Sequence, residues 1–167
     1  ALRLPQNIHY AWPDPQGRCL YVGTSEGFPG VPGVHNELHA LRIDPRSGAL
    51  SPHGMPVKLR ARPIHLTLDQ GGRHVVVAYN APFASAHRIE RNGTLGAEIP
   101  QPGGLHVGHY PHQIRVTPSG KGAIIVSRGH RLRKDKPAEP GGLQVFGYRN
   151  GVLRSEEHTS ELQSQST

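Results

Sequence analysis

One pattern runs through this chain three times, at a spacing of roughly 50 residues. An extended apolar stretch leads into a turn of glycine followed by a basic residue. Two more apolar stretches follow, and then a tight glycine turn into leucine. The first turns are Gln16-Gly17-Arg18, Gly71-Gly72-Arg73 and Ser119-Gly120-Lys121. The later ones are Ser47-Gly48-Ala49-Leu50, Asn92-Gly93-Thr94-Leu95 and Asn150-Gly151-Val152-Leu153. A repeat of this length that holds several short strands is the sequence form of a β-propeller blade. The expected fold is therefore all-β, a partial β-propeller of about three four-stranded antiparallel blades over residues 1–153.

Anchoring the repeats on Gly17, Gly72 and Gly120 sets the strands. Inner strands are expected at His9–Asp14, His65–Asp69 and Gln113–Thr117. Second strands follow at Cys19–Thr24, His74–Tyr79 and Ala123–Ser127, rich in β-branched residues such as Val75-Val76-Val77 and Ile124-Ile125-Val126. Third strands fall at Leu38–Ile43, Ala86–Glu90 and Leu143–Tyr148, and the clearest fourth strand at Thr94–Ile99. Asn92-Gly93 and Asn150-Gly151 suit two-residue hairpin turns, because Asn and Gly both tolerate positive φ. No segment carries helical periodicity with caps.

The variable stretches, Ser25–Glu37, Asn80–Ser85 and Arg128–Gly142, lie between second and third strands and are rich in Gly, Pro or charge. In an antiparallel meander they share an end with Gln6–Ile8, Arg62–Ile64 and Tyr110–His112. That shared end is the expected functional mouth. Three blades alone do not close a ring, since propellers have four to eight, so the isolated piece is expected to be unstable or to aggregate.

The last residues, from Arg154 to Thr167, read differently. Their codons can be written as a common sequencing-adapter read, so 154–167 is expected to be a non-native tail. The chain as a whole has a formal charge of +7; residues 154–167 hold one Arg and three Glu, and without them it is +9. This balance favours anionic partners. Nucleic acid is not expected, because the cations are scattered and aromatics are few, with three Phe and five Tyr. The basic run His130–Lys136 reads as a solvated loop. The single Cys19 excludes an intramolecular disulfide. No apolar run is long enough to span a bilayer, so no membrane partner is expected. Ala1 opens the chain without Met or a signal pattern, so the native N-terminus is expected to be missing; a cytoplasmic location is the expectation. Oligomeric state is not encoded in any pattern seen.

Several residues here resemble a known family. Arg62-Pro63-Ile64-His65-Leu66-Thr67-Leu68-Asp69, Ala78-Tyr79-Asn80, Tyr110-Pro111-His112-Gln113-Ile114-Arg115-Val116-Thr117-Pro118-Ser119-Gly120 and Ser127-Arg128-Gly129 resemble the seven-bladed β-propeller lactonases. That family includes 6-phosphogluconolactonase and a carboxymuconate-lactonizing cyclase. The likeness runs from about Asn7 to Leu153 and would make the chain roughly three of seven blades. It implies a cofactor-free site, without metal, acting on a small phosphorylated or carboxylated lactone by hydrolysis or cycloisomerisation. The whole protein would then be an enzyme, and this piece of it inactive. Of the family's catalytic groups only a His carries over, onto His112.

His112 is the candidate catalytic residue: an imidazole at the mouth can take a proton from water attacking a lactone carbonyl or deliver one to an enolate. The other reading makes it a structural hydrogen-bonding His. His9 and Ile64 hold the equivalent position in the other repeats, and His9 reads as packing. Arg62 and Arg128 are candidate substrate-binding residues, since a guanidinium grips carboxylate or phosphate with two prongs. Asn80, His65 and Gln113 complete that set, although Asn80 also suits loop capping and His65 also suits a bond between blades. His106-x-x-His109-x-x-His112 has histidine spacing, but Gly108 and Pro111 leave the rings on no fixed face, and a metal is not expected. A non-catalytic propeller binding a ligand or protein at the same mouth is the alternative function.

Overall fold

The computed structural model describes residues 1–28, 31–132, 134 and 136–155. They form thirteen strands and, among the described residues, no helix. The first sheet takes β1 (Asn7–Pro13), β2 (Cys19–Ser25), β3 (Asn36–Ile43), β4 (Leu50–Pro52) and β5 (Val57–Lys58). The second takes β6 (Pro63–Leu68), β7 (His74–Tyr79), β8 (Ala84–Ile89) and β9 (Leu95–Ile99). The third takes β10 (Pro111–Val116), β11 (Gly122–Ser127), β12 (Gly142–Arg149) and β13 (Val152–Ser155). Each sheet is an antiparallel meander in chain order. In the first, β4 and β5 both pair with β3, so its outer strand is one strand broken at residues 53–56, where Gly54 has φ +80° and Pro56 lacks a donor.

The turn between inner and second strand is built the same way three times. Gly17, Gly72 and Gly120 sit at φ +66°, +59° and +68°, where a glycine costs least. Their N–H groups donate to Asp14, Asp69 and Thr117 carbonyls at 3.0, 2.9 and 2.8 Å. A side-chain oxygen closes each turn from inside: Asp14 Oδ1 accepts Cys19 N–H, Asp69 Oδ1 accepts His74 N–H, and Thr117 Oγ1 accepts Gly122 N–H. The repeat seen in sequence is thus a repeat in hydrogen bonding.

The sheets face one another in series, with inner strands β1, β6 and β10 lying alongside. Leu66, Leu68, Val75, Val77 and Tyr79 pack against Tyr21, Leu38 and Ala40 of the first sheet. The other face of the second sheet, Val76, Ala78, Ala84 and Ala86, packs on Ile114, Val116, Ile125 and Phe146 of the third. Burial follows position. Every residue of β7 is buried, whereas β11 alternates, because the second sheet has a neighbour on each face. The far face of the third sheet leaves Leu143 70% and Val145 50% exposed. This is an arc of three blades, the all-β partial propeller that the repeat implied.

Two details differ from expectation. At Asn92-Gly93 the hairpin has three loop residues, with Glu90 N–H on the Thr94 carbonyl at 2.9 Å, and only Gly93 takes positive φ. Asn92 folds its side chain back to accept Thr94 N–H at 3.0 Å, which holds it out of the left-handed region. Asn150-Gly151 is the two-residue turn expected, with φ +51° and +83°. The other difference is at the end: β13 runs two residues past Leu153, as Arg154 and Ser155 pair with Gly147 and Phe146. Residues 156–167, most of the expected tail, lie outside the described residues, as do Arg133 and Asp135 of the basic run.

Candidate functional site

All three inner strands carry a register shift at their start, between Ile8 and Tyr10, between Pro63 and His65, and between Pro111 and Gln113. The bulged residues are therefore His9, Ile64 and His112. A bulge bends the strand and re-aims the side chain it carries, and here it lifts His112 into an exposed position at the end of β10.

Around that end the backbone repeats again. Asn80 N–H donates to the Arg62 carbonyl at 3.1 Å, and Arg128 N–H to the Tyr110 carbonyl at 3.2 Å. Asn80 and Arg128 are thus equivalent residues at the ends of second strands, facing Arg62 and Tyr110 at the entries to inner strands. Tyr110 sits at φ +54°, unusual for an aromatic residue, and the Arg128 guanidinium stands 5.5 Å over its ring.

Arg62 is the electrostatic centre. It is only 8% exposed, its Nε has no hydrogen-bond partner, and it makes no ion pair among the described residues. Burial, and then the Arg128 guanidinium, work against its charge and lower its pKa. Burial first, and then the Arg62 charge, hold His9 below the usual imidazole range. His9 Nε2 is buried without a hydrogen-bond partner among the described residues. His9 is half-buried and feels the Arg62 charge, an influence its repeat position alone did not signal.

His65 is placed differently from the other candidates. It is 4% exposed, its Nδ1 accepts Ile114 N–H from the third blade at 3.4 Å, and its ring lies 4.2 Å from that of Tyr10. Burial, Arg115 and His112 push it down to about 4, so it is neutral at ordinary pH. Gln113, next to His112, is half-buried and pairs with Val126. The structure therefore brings Arg62, Arg128, Asn80 and His112 to one end, with His65 behind them between blades.

Two groups escaped the sequence reading. Arg115 stacks over Trp12 at 4.6 Å, a contact from third blade to first across the inner strands. Glu139 pairs with His109 and lies 3.7 Å from His130, tying the loop after β11 to the segment before β10. His109 is thereby turned to a carboxylate instead of joining His106 and His112. A cleft of about 560 Å³ opens beside this tie, between Arg128 and Glu139.

Comparison with known proteins agrees with this architecture. No curated protein matches the sequence. Among solved structures, the periplasmic gluconolactonase of Pseudomonas aeruginosa is 18% identical at a TM-score of 0.56, over 92% of this chain and 56% of that one. A candidate 6-phosphogluconolactonase from Bacteroides uniformis is 16% identical at 0.53, over 94% and 57%. Hydrazine synthase of Kuenenia stuttgartiensis is 17% identical at 0.61, over 92% and 36%. These likenesses are of fold, and the chain spans little more than half the length of the two lactonase-like structures and about a third of the synthase. The sequence profile described as lactonase, seven-bladed β-propeller, matches residues 4–130, and the chain belongs to that family.

Proposed function

We propose that the protein containing this chain opens the ring of a small anionic lactone, and that the described mouth binds the acid group and supplies one proton-transferring residue. The observation that carries this reading is Arg62: a largely buried side chain whose enclosed Nε has no partner, close enough to Arg128 to feel its charge and without an ion pair among the described residues. A buried unpaired charge is costly. A carboxylate or phosphate drawn in from solvent would offset that cost through charge-assisted hydrogen bonds.

In the hydrolytic step, a His112 ring nitrogen accepts a proton from water as the water oxygen bonds to the lactone carbonyl carbon. The ring C–O bond then breaks, and the leaving alkoxide takes the proton back from the imidazolium. Atoms and charge balance with water as the one co-reactant. Arg62 and Arg128 orient the substrate through its acid group, with Asn80 and Gln113 flanking it. His65, enclosed and neutral, holds the middle of β10 through Ile114 and acts as a positioning residue.

The test uses the full-length protein. His112→Ala should lower kcat by roughly 10²–10⁴-fold. Arg62→Gln should raise KM for a phosphorylated or carboxylated lactone and leave KM for an uncharged one unchanged. Full activity of the His112 variant would remove its role. Equal effects of Arg62→Gln on charged and uncharged lactones would remove the anionic substrate.

A further inference from the structure

The Gly-plus-basic turn of each repeat takes no part in the mouth. Its cations, Arg18, Arg73 and Lys121, emerge at the opposite end of the inner strands. We infer that this end carries a second site, seated between the first two blades, for a small molecule bearing a diphosphate group.

Arg18, Arg73, Arg88 and Arg91 line a single cleft of about 620 Å³ there. They come from separate places in the chain, and the fold holds each one. Arg18 and Arg73 follow the left-handed glycines and donate their N–H groups to Asp14 and Asp69 at 2.6 and 2.7 Å. Arg88 lies opposite His74 in the β7–β8 ladder, and Arg91 sits in the three-residue loop before β9.

Two carboxylates also reach the cleft, Asp14 and Glu90. Asp14 is committed: it is buried, its Oδ1 holds two main-chain N–H groups, and its Oδ2 lies 3.6 Å from Arg18 Nε. His74, also in the lining, is bound to Asp69. Arg73, Arg88 and Arg91 make no ion pair among the described residues, and face Glu90 as the one uncommitted carboxylate. Three guanidiniums against one acid is a net positive cleft, and like charges gathered by a fold are relieved by an anion with many acceptor oxygens. A guanidinium fork matches a phosphate face. The volume falls within the range of small-molecule sites. An adjoining cleft of about 510 Å³ shares Arg73 and adds Lys121 and Arg149, with Asp69, already bound to His74, as its carboxylate, so the cationic surface continues past the first cleft.

Inorganic pyrophosphate is the probe, titrated calorimetrically into the full-length protein at low ionic strength. Saturable binding is expected, and Arg91→Glu should weaken it about tenfold or more, the worth of one charge-assisted contact. Arg91→Gln is the milder second variant, in an exposed loop, and should weaken binding in the same direction. Arg62→Gln, at the far end, should leave it unchanged, and lactone turnover should be unchanged in both Arg91 variants. Absence of saturable binding overturns the site. So does binding that the Arg91 variants leave intact, or binding that Arg62→Gln abolishes, which would place pyrophosphate at the mouth.

Discussion

The Asp69 carboxylate holds His74 Nδ1 at 2.7 Å beneath the second blade, with both side chains buried. The same carboxylate accepts the main-chain N–H groups of Arg73 and His74. Burial pushes the Asp69 carboxyl up, but the bonds from His74 and the main chain outweigh it and hold the group below its ordinary value. A carboxylate depressed on folding stabilises fully above its unfolded pKa and loses that contribution as pH falls through the folded value, so the Asp69 contribution is lost below the ordinary carboxylate range. Asp69→Ala leaves a buried imidazole and two N–H groups without an acceptor. It should cost about 3 kcal/mol, read by urea unfolding of the full-length protein. Asp14→Ala, whose ionic partner Arg18 is solvent-exposed, should cost less.

Acid sensitivity at milder pH should come mainly from two other side chains, with His9 and His39, also lowered by burial, adding in the same direction. His65 and His87 are each pushed down to about 4, by burial first, then by Arg115 and His112 for His65 and by Arg60 for His87. In the unfolded chain both titrate near 6.5. Between about pH 6.5 and 4 the unfolded state therefore binds more protons, and stability falls as pH is lowered through that window. The slope is on the order of 1 kcal/mol per pH unit for each group. His87→Gln should flatten the dependence of the unfolding midpoint on pH between 7 and 4.5. An unchanged slope in that variant would assign the effect elsewhere.

How far the sequence carried the structure depends on the range of the interaction. β7 was legible at both ends because Val75-Val76-Val77 is bounded by a glycine turn and by Asn80, all local signals. Counting from Gly17, Gly72 and Gly120 put His9, Ile64 and His112 in one register, and the three bulges occupy those positions because each blade solves the same backbone problem. The three-residue loop at Asn92 was not legible, since one side-chain hydrogen bond decides it. Nor was the Arg115–Trp12 stack, which joins residues two blades apart through the curvature of the arc. The Glu139 tie to His109 and His130 joins two loops without any period to betray it. At the mouth, residue type and register were readable, whereas the burial of Arg62 and the enclosure of His65 depend on neighbouring blades.

Gly151 tests the packing between second and third blades. It has φ +83°, and a Cβ there would strike Ile99 Cδ1 and approach the His74 ring at 3.1 Å. Its carbonyl also accepts Gln101 Nε2 at 2.8 Å, and Gln101 Oε1 accepts Leu153 N–H at 3.0 Å. Gly151→Ala combines backbone strain with a clash at a clamped point and should destabilise by about 1–3 kcal/mol. Gly48→Ala is the control: it shares the positive φ but meets nothing within 4 Å, so only the strain remains and about 1 kcal/mol is expected. Similar losses at the two positions, measured by thermal unfolding, would mean that the blade contact contributes little.

Leu143 and Val145 point from β12 on the far face of the third blade, and they are among its most exposed apolar side chains, while Phe146 and Tyr148 on the same strand are buried. Ile124 lies opposite Val145 and Val126 opposite Leu143 in the β11–β12 ladder, so the four side chains form one apolar strip. In a closed propeller such a strip packs on the next blade; in the chain by itself it faces water and favours self-association. Leu143→Lys with Val145→Lys should therefore act in opposite directions in two contexts. For the chain produced alone, it should reduce aggregation seen by light scattering. In the full-length protein it should lower the unfolding midpoint, because two charges would be buried against a neighbouring sheet without partners. If the double variant is equally stable in the full-length protein, the strip is not covered there and the third blade lies at an open edge.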